Sequence, residues 1–143
     1  MDYGLDDVEV KEKGENVAEK KKRAPFAYWT VGGKDYKLKL TTAVICQLED
    51  KFKSNLLNIL SNSGGVPPLA VMLSITQGAM KTWEHGIKYE HVQAMFDKYC
   101  EEGGTQLSFM TDVLMPIYSV SGFFSEDQQV EMDRKLEEAK EVM

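Results

Sequence analysis

Hydrophobic and polar positions change period once along this chain, and the change marks its organising stretch. Residues Tyr28-Trp29-Thr30-Val31 and Tyr36-Lys37-Leu38-Lys39-Leu40 flank Gly32-Gly33-Lys34-Asp35. After the glycines, Tyr36, Leu38 and Leu40 alternate with Lys37 and Lys39, the period-two pattern of a strand with one buried face. A β-hairpin over about 26–40 follows, because paired glycines adopt positive φ without steric cost. Beyond Thr41 the spacing becomes Val44, Leu48, Phe52, which is helical. A four-residue loop at Gly32–Asp35 would pair Val31 with Tyr36, Trp29 with Leu38 and Ala27 with Leu40. A three-residue loop would pair Tyr28 with Leu38 and expose Trp29. The first register is preferred, since it removes the larger apolar side chain from water. It leaves Phe26, Tyr28 and Thr30 beside Lys37 and Lys39 on a second face with no assigned cover.

Helical patterns account for the remainder. A helix from Thr41 or Thr42 to about Phe52 has a threonine N-cap, and Ser54 is placed to cap a short one through Leu60. Gly64-Gly65 ends it, and Pro67-Pro68 opens a third helix running to His85-Gly86. Leu69, Met72, Leu73, Ile75, Ala79, Met80 and Trp83 spread round more than one face, so this helix is expected at the centre, with Gly78 admitting a close neighbour. Val92, Met95, Phe96 and Tyr99 form a single stripe over 89–102, closed by Gly103-Gly104. A fifth helix starts at Thr105, and Pro116 implies a kink or break near Met115. Ser125 and Gln128 form a capping-box signature for a last helix to about Val142. Its only apolar residues are Val130, Met132, Leu136 and Ala139 before the end, and Glu131 with Lys135 is a favourable i, i+4 pair.

These elements define an α+β, mainly α class: an N-terminal hairpin packed on about five helices, with a charged C-terminal helix. Residues 1–24 read as a charged, disordered arm, 25–124 as one globular domain and 125–143 as an acidic helix. A length of 143 residues with 43% hydrophobic content suits a single domain with a sizeable core. The net charge of −6 argues against a nucleic-acid partner, and the Lys20–Arg23 run is read as a solubilising flank. No long apolar run suggests a membrane span, and the acidic start lacks the apolar core of a secretory signal. Cys46 and Cys100 are expected as buried free thiols in a reducing cytoplasm.

Chemistry-bearing motifs are sparse. His85 and His91 with the two cysteines match no metal-ligand spacing, and both histidines read as helix-terminal residues. No nucleophile elbow, phosphate loop, dinucleotide fingerprint or calcium loop occurs, so neither an enzyme nor a cofactor site is expected. Eight methionines suit a core and equally an adaptable binding surface. Met110, Met115, Tyr118, Phe123 and Phe124, around and after the Pro116 break, join Phe26 and Tyr28 as candidate partner-binding residues.

The strand, Gly32-Gly33-Lys34-Asp35, Tyr36-x-Leu38-x-Leu40 and helix, then Leu48-Glu49-Asp50-Lys51-Phe52, Ser54-Asn55-Leu56-Leu57, Trp83-Glu84-His85-Gly86-Ile87 and Tyr89-Glu90-His91-Val92, follow one another in order. Over about residues 26–120 this order resembles the small tail assembly chaperones of long-tailed bacteriophages and the similar proteins of gene-transfer-agent tails. The resemblance implies a non-enzymatic host-cytoplasmic protein that coats the tape measure protein, helps recruit tail tube protein and is absent from the finished particle. Self-association is compatible with it. The rival reading is a structural minor tail or head-tail connector protein retained in the virion.

Overall fold

The computed structural model describes residues 24–61 and 65–142. The charged-arm reading and the glycine stop at Gly64 fall outside them. Strands β1 (Ala27–Val31) and β2 (Lys34–Leu38) pair antiparallel, followed by helices α1 (Thr42–Phe52), α2 (Leu56–Ser61), α3 (Leu69–Met80) and α4 (Tyr89–Glu101). A continuous helical path then runs through α5 (Gln106–Phe109), a π-helical segment (Met110–Leu114) and α6 (Met115–Val120), before α7 (Glu126–Val142). The architecture is the expected hairpin on a helical layer with a charged terminal helix.

The hairpin register corrects the expectation by two residues. Val31 pairs with Lys34, Trp29 with Tyr36 and Ala27 with Leu38, so only Gly32 and Gly33 form the loop. Both glycines have positive φ, +61° and +78°, the turn whose twist matches that of the flanking strands. A shift of two keeps every side chain on its own face, so Ala27, Trp29, Val31 and Leu38 still face inward and Leu40 is buried just beyond β2. Trp29 is 1% exposed and packs edge-on against Phe109 and Tyr99, with ring centroids 5.0 and 5.9 Å away. Phe96 closes this aromatic cluster from α4, 5.2 Å from Phe109. Such edge-to-face pairs add about 1 kcal/mol each beyond area burial.

Helix α3 lies at the centre, as its all-round apolar pattern requires: Met72 through Thr76 and Gly78 through Met80 are buried. A Cβ at Gly78 would come within 2.7 Å of Val44 and 3.4 Å of Leu48, so glycine is what lets α1 approach. The helix stops at Met80, however, short of His85, and Trp83 sits in the turn that follows. Lys39 N–H donates to the Ala79 carbonyl at 2.9 Å and Leu40 N–H to Ser121 Oγ at 2.9 Å. The hairpin's exit thereby satisfies an orphan carbonyl of α3 and ties the end of α6 to the sheet.

Local chemistry sets the other boundaries. Thr41 Oγ1 accepts from Val44 N–H, as expected of an N-cap. Asn55, and not Ser54, caps α2, its Oδ1 accepting from Asn58 N–H at 2.7 Å. Thr105 and Ser108 exchange reciprocal side-chain to backbone bonds at the start of α5, and Ser125 with Gln128 does the same for α7. On α7, Arg134 reaches both Glu131 and Glu138, in place of the Glu131–Lys135 pair anticipated from spacing.

Pro116 does not break its helix. The five residues before Met115 widen into a π-turn, and Met115 N–H donates to Met110 O. Proline lacks an N–H and its ring crowds the carbonyl four residues back, so one wide turn accommodates both without losing the helical track. The consequence is that Tyr118 stays in the core.

Candidate functional site

The candidate partner-binding residues divide sharply once placed. Tyr118 is fully buried, and its hydroxyl donates to Leu56 O at 2.8 Å. Met115 is also core. Tyr118 was expected to be left exposed after the Pro116 break, and the π-turn that replaces the break carries it inward; Met115 is buried as its core-periodic spacing implied. Tyr118 instead positions α2. Glu49 Oε2 accepts from Leu56 N–H at 3.0 Å, so the donor and acceptor of one residue are held by two different elements. Burial pushes the Tyr118 phenol well above its ordinary value, with the Glu49 carboxylate adding to the effect.

Met110, Phe123 and Phe124 are half-buried and pack against the core edge, Phe123 stacking on Tyr118 at 4.7 Å. They do not join Phe26 and Tyr28, which lie on the outer face of the hairpin.

That outer face is the best-defined surface feature. Tyr28 is 49% exposed, and Phe26 meets its ring edge-on at 5.3 Å. On its other side Phe26 meets Trp83 at 5.6 Å. Lys37 extends over Phe26 at 4.8 Å and over Trp83 at 5.9 Å, so its ammonium is held against two aromatic faces. Thr30 Oγ1 donates to Asp35 Oδ1 at 2.6 Å across the same face. Among the described residues, the turn after α3 supplies the ring contact from outside the hairpin, through Trp83. Sequence reasoning counted Trp83 as part of α3 and missed its role here. Its position shortly before His85-Gly86, where the helix was expected to end, was the available signal.

The hairpin that carries this surface is tied down at its tip. Gly32 N–H at its tip donates to both carboxylate oxygens of Glu102, at 3.1 and 3.0 Å, which anchors the loop to the C-terminal end of α4. On the inner side, Tyr99 bonds Ser108 at 2.6 Å beneath Trp29. Burial raises the Tyr99 phenol above its ordinary value, opposed by the Ser108 bond and reinforced by the Asp112 charge.

Elsewhere, an open groove of about 580 Å³ lies between α1, α2 and the start of α3, lined by Phe52, Ile59, Val66, Pro68 and Val71. Leu57 and Leu107 are exposed singly. Among the described residues no group of three His, Cys, Asp or Glu side chains could hold a metal ion, and no helix is long and apolar enough to cross a membrane. His91 Nδ1 accepts from Lys88 N–H at 3.1 Å, a capping role at the start of α4. Cys46 and Cys100 are free, but both are exposed, contrary to the expectation of buried thiols. Cys46 lies two residues from Leu48, which turns it away from the Val44–Leu48–Phe52 stripe.

No curated protein and no solved structure matches the chain. Its residues 21–143 match a family model described as a family of unknown function, DUF6096, which takes in the hairpin, the aromatic outer face and the helices among the described residues. The chain belongs to the DUF6096 family.

Proposed function

We propose that this protein is a tail assembly chaperone of the long-tailed bacteriophage type, which binds the apolar helices of a tape measure protein in the host cytoplasm and assists tail tube assembly without catalysis. The observation that carries the reading is the aromatic outer face of the hairpin, Phe26, Tyr28 and Trp83 around Lys37. It lies in the segments whose order resembles that family. Rigid amphipathic rings on a held strand lose little conformational entropy on binding, and they accept apolar helices of varied sequence. Half-buried Phe123 and Phe124, packed against the core, offer further apolar contact.

The test is co-expression of the full chain with the tape measure protein that this reading expects to be encoded beside it, scored by solubility and co-purification. The reading expects a soluble complex that Tyr28→Asp disrupts. A tape measure protein that stays insoluble in the presence of well-folded chain contradicts it. Mass spectrometry of purified particles separates the structural alternative: abundant retention in mature tails would sink the chaperone role.

A further inference from the structure

We propose that the partner segment taken by the outer face of the hairpin carries carboxylates along the border of its apolar stripe, so that the face selects an acidic amphipathic helix over a basic one. The inference rests on the reading of this face as the docking surface, and adds the chemistry by which it discriminates. The rings are only half of the surface. Tyr28 stands opposite Lys37 in the sheet, and continuing the register one step sets Lys39 opposite Phe26. Lys39 N–H bonds to Ala79 O, which seats this lysine beside the end of α3, and Lys81 opens the turn that carries Trp83. All three lysines are exposed, and among the described residues none is in an ion pair.

The acids that adjoin them do not cancel this charge. Asp35 lies toward the tip, where it accepts from Thr30, and Glu84 is half-buried after Trp83. In the sequence, Lys20-Lys21-Lys22-Arg23 leads directly into Ala24-Pro25-Phe26. The face is therefore locally positive on a chain whose net charge is −6.

Lys37 sets the sign of the ligand. Its ammonium lies 4.8 Å from the centre of the Phe26 ring and 5.9 Å from that of Trp83, so both aromatic faces already hold a cation. A basic segment would meet like charge there, with those rings engaged. A carboxylate arriving from the open side would instead gain charge-assisted bonds from ammonium N–H groups that the rings do not satisfy. Complementary charge of this kind governs which partner is accepted more than how much area is buried. The whole-chain charge predicts the opposite preference, since an acidic protein attracts basic peptides, so the sign of the selectivity isolates this face.

Fluorescence anisotropy of two labelled amphipathic peptides with the full chain tests this. Both carry a leucine stripe on an alanine background; one borders the stripe with glutamates, the other with lysines at the same positions. The glutamate peptide should bind about tenfold more tightly or better, and its affinity should fall as salt is added. Lys37→Glu combined with Lys39→Glu should erase the preference while circular dichroism keeps its wild-type shape, because both side chains are exposed. Equal binding of the two peptides, each weakened by Tyr28→Ala, would overturn the charge selection and leave the docking surface standing. Binding of neither, or binding that Tyr28→Ala does not touch, would overturn the docking reading and the inference with it. Oligothymidine bound more tightly than the glutamate peptide would assign the lysines to a phosphate backbone. A glutamate-peptide affinity that rises about tenfold when Asp2, Asp6, Asp7 and Glu9 are changed to their amides would give the face to the chain's own start. An oligomer that the double lysine variant dissolves would give it to a second copy. In each of these three cases the assignment to an acidic partner helix falls.

Discussion

The two faces of one hairpin, built from the same ten strand residues, do opposite work. On the inner face Ala27, Trp29, Val31 and Leu38 are buried and Trp29 is the centre of an aromatic cluster. On the outer face Tyr28, Thr30 and Lys37 are exposed, although Phe26 and Trp83 there make ring contacts of nearly the same geometry. Aromatic contacts alone do not make a core. What separates the faces is the helical layer: α4, the π-segment and α6 pack against β1 around Trp29, whereas among the described residues one turn reaches Phe26. The inner face therefore determines stability, and the outer face contributes little to it.

The largest break in that contrast is Trp29→Ala. It removes the biggest buried side chain and should lower unfolding free energy by about 3–5 kcal/mol, read by urea titration. Gly78→Ala comes next. Helix propensity alone would stabilise by about 1 kcal/mol, but a Cβ 2.7 Å from Val44 overpacks the α1–α3 contact. A net loss of about 1–2 kcal/mol is expected, and a gain would show that α1 moves freely away.

Tyr118→Phe removes the hydroxyl bond to the Leu56 carbonyl and should cost about 1 kcal/mol near neutral pH. Its pH dependence sharpens the point. The folded phenol is raised above the ordinary 10.0, so the folded state holds this proton longer than the unfolded chain does. The contribution is intact below pH 10.0 and is lost progressively as pH rises toward the folded value. Tyr118→Phe should flatten that part of the alkaline stability profile, measured by denaturation at a series of pH values. At the small end, Tyr28→Ala should shift unfolding free energy by no more than about 0.5 kcal/mol, because an exposed ring away from the core contributes little.

The inner face was legible in the sequence because it depends only on alternation. The register was not, because moving the pairing by two residues leaves the alternation unchanged, and only loop geometry at Gly32-Gly33 distinguishes the two solutions. The central place of α3 followed from an apolar pattern on all sides, and the role of Gly78 from the cost a glycine there must offset. Tyr118 was misjudged because a proline inside a helix signals either a break or a π-turn. The spacing of Val113, Leu114, Ile117 and Tyr118 continues the core stripe through the proline and favoured the second. Trp83 was hidden for another reason. Its contact with Phe26 joins residues far apart in sequence, and no local period encodes such a pair.

The proposed division of labour within the hairpin is tested most directly by one comparison made on the full chain co-expressed with its proposed client, a tape measure protein. Tyr28→Asp is purified alongside wild type, and the amount of co-purified client is measured at matched thermal stability. The account predicts a client yield reduced about tenfold, equivalent to about 1.4 kcal/mol of binding, with the melting temperature unchanged. Full client retention by Tyr28→Asp, or a loss of binding that occurs only because the domain has melted, would contradict it.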